Sequence, residues 1–195
     1  MNRDDLEGRL TFLRDAERLK DTLRSGFTGQ GASESVAEHT WRVCLFALTF
    51  SDQLDGIDLR KLLAMLILHD LGEVYEGDVP AIHQVDGDGR DARERADFDR
   101  LTDTLPTSLG AQFRDLYDEY CSGETPEAKL AKGFDKLETM LQHTQGQNPA
   151  DFDYAFNFDY GTRWTQEPAL LREIRAAIDE ATRRRDGGKP GWPEG

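Results

Sequence analysis

The clearest hydrophobic pattern in the chain lies between Lys61 and Glu73, where every residue from Leu62 to Leu71 except His69 and Asp70 is apolar. Such a run predicts a helix that is apolar on all sides and passes through the interior. A second helix is expected over 35–50, with apolar residues at Val36, Val43, Ala47 and Phe50, and a third over 125–145, where Leu130, Phe134, Leu137 and Leu141 mark a stripe. Leu6, Leu10, Leu13, Leu19 and Leu23 predict an amphipathic helix over 5–24. Weaker amphipathic helices are expected at 98–105 and 109–120, and a last one at 168–184. Between them lie turn signals. The segment from Gly26 to Ser35 ends on Ser33 and Ser35 with Glu38 beyond, the pattern of an N-cap and capping box. Asp58 is placed to cap the helix of His69, Gly77-Asp78-Val79-Pro80 stops the chain after it, and 86–95 reads as a polar loop. The aromatic stretch 151–161 is expected to be a loop or short helix that packs on the core or lines a pocket. No alternation long enough for a strand is present, so the fold class expected is an all-α helical bundle.

His69 and Asp70 interrupt that pattern. His69 follows Leu62 by seven residues and Leu66 by three, and Asp70 stands in the same relation to Leu63 and Ile67, so both extend core-facing rows. Burying a carboxylate beside an imidazole is costly unless both are paired or coordinated. A divalent cation satisfies both. Neighbouring residues diverge by about 100° around a helix, so the ion would sit at the helix flank and need ligands from elsewhere. Of the four histidines, His39, His69, His83 and His143, His39 lies on the 35–50 helix, while Asp135 borders the stripe of the 125–145 helix. His39, His69, Asp70 and Asp135 would form a mixed nitrogen and oxygen set suited to first-row divalent metals rather than to a thiolate zinc site, with positions left open for water and substrate. Manganese, cobalt, iron, magnesium, nickel and zinc are not distinguished by this pattern.

Length and charge narrow the possibilities. With 195 residues the chain supports one sizeable core, expected over 1–185, and the Gly- and Pro-rich segment 186–195 reads as a disordered tail. A net charge of −14 argues against a nucleic-acid polymer as partner, because phosphate-backbone binding rests on clustered Lys and Arg. A small anionic substrate requires local neutralisation by metal and a few cations. No apolar stretch approaches the roughly 20 residues that span a bilayer, and the polar start does not resemble a secretory signal. The expected setting is therefore the cytoplasm, away from any membrane. Cys44 and Cys121 form neither a disulfide framework nor a CxxC site.

The residues His39, His69-Asp70 and Asp135, within SVAEHTWRV, LILHDLGEVYEGDVP and FDKLE, resemble the HD-domain metal-dependent phosphohydrolases, helical bundles that carry an H…HD…D ligand set. The likeness spans about residues 20–142. It is strongest to the branch that includes the 5′-deoxynucleotidases, through Glu34-SVAEH-His39, His69-DLGE-Glu73 and Gly77-DVP-Pro80. The resemblance implies that Glu73, one turn from His69, orients or deprotonates a metal-bound water. It implies that Asp78 protonates the departing nucleoside oxygen, although an Asp there also suits a turn cap. Arg24 matches an arginine that contacts substrate and can grip phosphate in a bidentate manner. Phe27 stands where that branch has a tryptophan, a departure that bears on sugar selection. Lys136 either adds charge at the phosphate or forms a salt bridge. His83 reads as loop surface or a substrate contact, His143 as a structural group rather than a ligand, and Trp41 and Arg42 as packing and ion pairing.

The expected function is metal-dependent hydrolysis of nucleoside 5′-monophosphates, most of all deoxynucleotides, to nucleoside and phosphate. The alternatives are an HD-type phosphodiesterase or nucleoside triphosphate hydrolase, and a non-catalytic helical module that binds metal or nucleotide. The resemblance further implies a homodimer.

Overall fold

The computed structural model describes residues 1–80 and 88–192; His83 lies outside them. The first helix, α1 (Arg3–Ala16), is shorter than the leucine spacing suggests. It passes through a single 3-10 turn, Glu17–Lys20, into strand β1 (Leu23–Phe27). β1 pairs antiparallel with β2 (Ser33–Ser35), Leu23 opposite Ser35 and Phe27 opposite Ser33. This small hairpin corrects the expectation that the chain holds no strand and only a turn at Gly26 to Ser35. Three residues of β2 give no period-2 signal, and its pairing is written in the backbone rather than in apolar side chains.

The helices of the bundle follow. Helix α2 (Val36–Thr49) starts at the expected capping box: Ser35 accepts from the Glu38 backbone N–H, and the Glu38 side chain accepts from that of Ser35. Asp58 caps α3 (Leu59–Leu68) by accepting from the Lys61 N–H. The apolar run does not stay helical to Gly72. His69 ends α3, and Asp70 leads into one 3-10 turn, Leu71–Glu73. Helix α4 (Arg90–Thr102), which begins inside the expected 86–95 loop, packs on that turn. A Cβ on Gly72 would meet the Glu94 carbonyl oxygen at 2.7 Å, so only glycine permits this approach. Then come α5 (Thr107–Ser122), α6 (Pro126–Gln145), the short α7 (Phe156–Asp159) and α8 (Thr162–Thr165), and α9 (Ala169–Asp186).

Helix α6 is the axis of the bundle, in contact with α2, α3, α5, α8, α9 and β1. One apolar cluster joins Val43 and Ala47 of α2, Leu62, Met65 and Leu66 of α3, Phe134, Leu137 and Met140 of α6, and Leu171 and Ile178 of α9. A second gathers Phe12, Leu19, Leu68, Leu71, Phe98, Leu101 and Tyr117 beneath α1, α4 and α5. Helix α3 feeds both, and its end, where His69 and Asp70 stand, falls at the seam between them. It is not buried on every side: Ile67 is 55 % exposed. Trp41, expected to pack, is also exposed on α2. Beyond α9, in the stretch read as a disordered tail, Gly191 is buried against Thr144 and the Trp192 indole donates to Thr144 Oγ1 at 3.0 Å. Among the described residues no helix is long and apolar enough to cross a membrane.

Candidate active site

Three elements meet at the seam. His39, in the second turn of α2, is fully buried; its Nδ1 bonds to Glu138 of α6, and its Nε2 lies 3.2 Å from Asp135 Oδ1 and 3.8 Å from Asp70 Oδ2. Burial alone would depress the His39 imidazolium, and Arg24 adds to that, but Glu138 and Asp135 outweigh both and push it up to about 9.

His69 is oriented by its own helix end. Its Nδ1–H donates to the Leu66 carbonyl oxygen at 2.7 Å, since a carbonyl can only accept. That leaves the Nε2 lone pair facing Asp70 Oδ1 at 3.1 Å and Asp135 Oδ1 at 3.9 Å, without a hydrogen-bond partner. Asp135 shows the complementary arrangement. Its Oδ2 takes Lys136 Nζ at 2.9 Å and the Tyr120 hydroxyl at 3.3 Å, while Oδ1 turns toward the two imidazoles. Burial works against the Asp135 carboxylate, yet Lys136 and the histidines hold it well below the usual range. Asp70, penalised by burial in the same way, is pulled down to about 2 by His69, Arg24 and His39.

Acidic groups crowd the open side. Glu73 is buried with Oε2 unpartnered, and burial together with Asp70 and Asp78 pushes its carboxyl up to about 10. Asp78 is raised chiefly by burial, against the pull of Arg24. Arg24 reaches in from β1: Nη1 donates to Asp70 Oδ2 at 3.4 Å and Nη2 to Thr139 Oγ1 at 3.3 Å, with Nε 3.8 Å from Glu34. These observations fit a divalent cation. His39, His69 and Asp70 present ligand atoms mutually within 4.8 Å, Asp135 Oδ1 joins them, a buried imidazole lone pair is orphaned, and the surrounding carboxylates are short of positive charge.

A cavity of about 490 Å³ opens from this cluster, lined by Arg24, His69, Asp70, Glu73, Asp78, Asp135 and Lys136. Tyr120, Lys132, Phe152, Phe156 and Tyr160 line it as well. The 151–161 segment thus supplies an aromatic wall while Asn157, fully buried, holds His143 Nδ1 at 2.8 Å. His39, fully buried, does not line the cavity itself. Phe27 ends β1 away from the cavity lining, and its carbonyl accepts from the Gln142 side chain. Lys136 pairs with Asp135 and lines the cavity as well.

Sequence reasoning missed Glu138, which is fully buried and joins His39 Nδ1 to the Arg42 guanidinium, Nε 3.2 Å away. The signal was available. Glu138 lies four residues after Phe134 on the apolar stripe of α6, the same kind of interruption that singles out His69. Glu34, buried beside Arg24, belongs to this network and is pushed up to about 7, by burial first and Glu138 next.

The pattern of HD domains matches residues 16–175. Similar proteins include the 5′-deoxynucleotidase HDDC2 of Dictyostelium discoideum, 32% identical over 68% of this chain and 74% of that one, and its namesake from Homo sapiens, 28% identical over 70% and 67%. A solved structure of a predicted metal-dependent phosphohydrolase from Magnetospirillum magnetotacticum superposes with a TM-score of 0.81 at 25% identity, covering 94% of this chain and 95% of that one.

Proposed function

This chain belongs to the HD-domain family, and on that premise we propose that it is a metal-dependent phosphohydrolase that cleaves nucleoside 5′-monophosphates, deoxynucleotides above all, to nucleoside and inorganic phosphate. The observation that carries the reading is the orphaned Nε2 of His69, facing Asp70 and Asp135 and backed by His39, at the floor of a cavity that also holds Arg24 and Glu73. The similarity to 5′-deoxynucleotidases along two thirds of the chain supports the substrate class.

His39, His69, Asp70 and Asp135 would hold the divalent cation. When bound, that cation supplies Lewis-acid polarisation of a phosphoryl oxygen and acidifies a water ligand. The chain's own groups do the rest. Arg24, a cation whose charge is secured by Asp70 once burial is overcome, offers its guanidinium to the charge that grows on the phosphoryl oxygens. Glu73 lines the cavity one turn from His69, where its carboxylate would align the attacking water and take its proton, with Arg24 opposing the burial and the Asp70 and Asp78 charges that raise it. Asp78, raised by burial against the pull of Arg24, lines the cavity where its carboxyl would protonate the departing 5′-oxygen. The aromatic wall of Phe152, Phe156 and Tyr160 keeps water away from the nucleoside.

The single-domain reading over 1–185, a cytoplasmic setting, a free nucleotide rather than a polymer or membrane as partner, and a homodimeric assembly belong to the same proposal. The test is phosphate release from deoxy- and ribonucleoside 5′-monophosphates, cyclic nucleotides and triphosphates by metal-stripped protein resupplied with manganese, cobalt, iron, magnesium, nickel or zinc, with Asp70→Ala as control. Metal-dependent release from monophosphates is expected. Turnover confined to cyclic nucleotides or triphosphates, or none with any substrate, overturns the assignment.

A further inference from the structure

The charges lining the cavity do not pair off completely. Arg24 is engaged by Asp70 and Glu34, Lys136 by Asp135, and Arg90 by Asp91 and Glu94. Lys132 also lines the cavity, yet among the described residues no carboxylate lies within ion-pair distance of its ammonium. Its Nζ rests on aromatic faces, 4.2 Å from the centroid of Tyr120 and 5.2 Å from that of Trp164. Lys132 and Lys136 stand four residues apart on α6, one turn along the same face. Asp135 lies between them in sequence and binds both Lys136 and the hydroxyl of Tyr120. The two lysines therefore line one side of the cavity next to the proposed metal ligands, one ammonium neutralised and one not. Their electrostatics differ accordingly. Burial lowers Lys132 below its ordinary value, whereas Asp135 overcomes burial and raises Lys136.

We propose that Lys132 is a substrate-binding residue, the cation of the cavity that becomes the direct partner of the phosphate dianion. The aromatic faces attract its ammonium without supplying a carboxylate that substrate would have to displace. In an otherwise acidic cavity, a phosphate offers Lys132 its missing counter-charge and a charge-assisted hydrogen bond. The inference rests on the reading of this cavity as a phosphate-monoester site, and it assigns to Lys132 the anionic group of the ligand rather than the base or sugar.

The test compares inorganic phosphate with an uncharged deoxynucleoside, each titrated calorimetrically into the metal-loaded protein, in wild type, Lys132→Met and Lys132→Arg. The Met side chain keeps the apolar stem against Tyr120 and Trp164. Phosphate is expected to bind about tenfold or more weakly to Lys132→Met, the scale of one lost hydrogen bond to a charged group, while Lys132→Arg restores most of the affinity and deoxynucleoside binding stays unchanged. KM for the monophosphate rises in parallel, with kcat affected less. Unchanged phosphate affinity in Lys132→Met overturns the proposal, as does an equal weakening for phosphate and deoxynucleoside. Should Lys132→Met melt early, Lys132→Gln is read by the same two ligands. Because phosphate binding is measured without turnover, wild type that binds phosphate yet hydrolyses no monophosphate overturns the substrate assignment and leaves the role of Lys132 to be decided by the variants.

Discussion

The two histidines of the site stand 5.7 Å apart, ring to ring, in opposite surroundings. His39 sits within the unbroken helix α2, fully buried, with Glu138 on one nitrogen and Asp135 on the other, and Arg42 closing the network behind it. His69 sits where α3 gives way to a 3-10 turn, and there Nε2 of His69 and Oε2 of Glu73 are buried without partners. Glu138 Oε1 makes no hydrogen bond either, but it has the Arg42 guanidinium 3.2 Å away, whereas among the described residues no ion pair reaches Glu73; the paired side is suited to hold a ligand in place and the unpaired side to react. Under the proposed function, affinity falls to the Glu138 side and chemistry to the Glu73 side.

The strongest challenge to that division comes from the shared centre. His69→Ala or Asp70→Ala should abolish stoichiometric metal binding and lower turnover by about 10³-fold or more, the scale of several kcal/mol of metal-derived stabilisation. Metal analysis and phosphate release check this, and full activity in a metal-free variant ends the metal reading. Next in size is Glu73→Gln, expected to keep the metal and lose about 10²-fold in kcat as a missing proton acceptor; loss of metal instead would move Glu73 to the binding side. Glu138→Gln should do the reverse, weakening metal affinity by about 10- to 100-fold with little change in turnover at saturating metal. A cobalt-loaded sample whose visible spectrum is the same in Glu138→Gln and wild type, at equal affinity, would remove Glu138 from any positioning role.

The smallest effect concerns stability against pH. The folded-state pKa of Glu73 is raised from 4.5 to about 10, so the protonated carboxyl is tolerated at low pH and its contribution to stability is lost as pH rises through that window. Metal-free Glu73→Gln should therefore melt increasingly above metal-free wild type between about pH 5 and pH 9. A constant difference in melting temperature across that range would mean that Glu73 ionises freely.

Much of this was legible in the amino-acid order. Apolar periodicity located α2, α3, α5, α6 and α9, the Ser35–Glu38 capping box marked the start of α2, and a polar pair inside an apolar run singled out His69 and Asp70. His39 and Asp135 followed from a short roll of histidines and one acidic residue beside a stripe. These signals are local, because helix spacing and caps are set by residues three or four apart.

What the tertiary structure decided is not local. Where α3 ends at His69, α4 lies against Gly72, a contact that no local signal announces. That Arg24 enters the cavity depends on a hairpin whose strands carry no alternating pattern. That Glu138 serves His39 depends on α2 and α6 crossing ninety-nine residues apart in sequence. Sequence by itself determined which helices form and which polar groups need partners in a dry interior. Only packing decided which partner each received, because a hydrogen bond or an ion pair between distant segments exists only once the chain has closed around it.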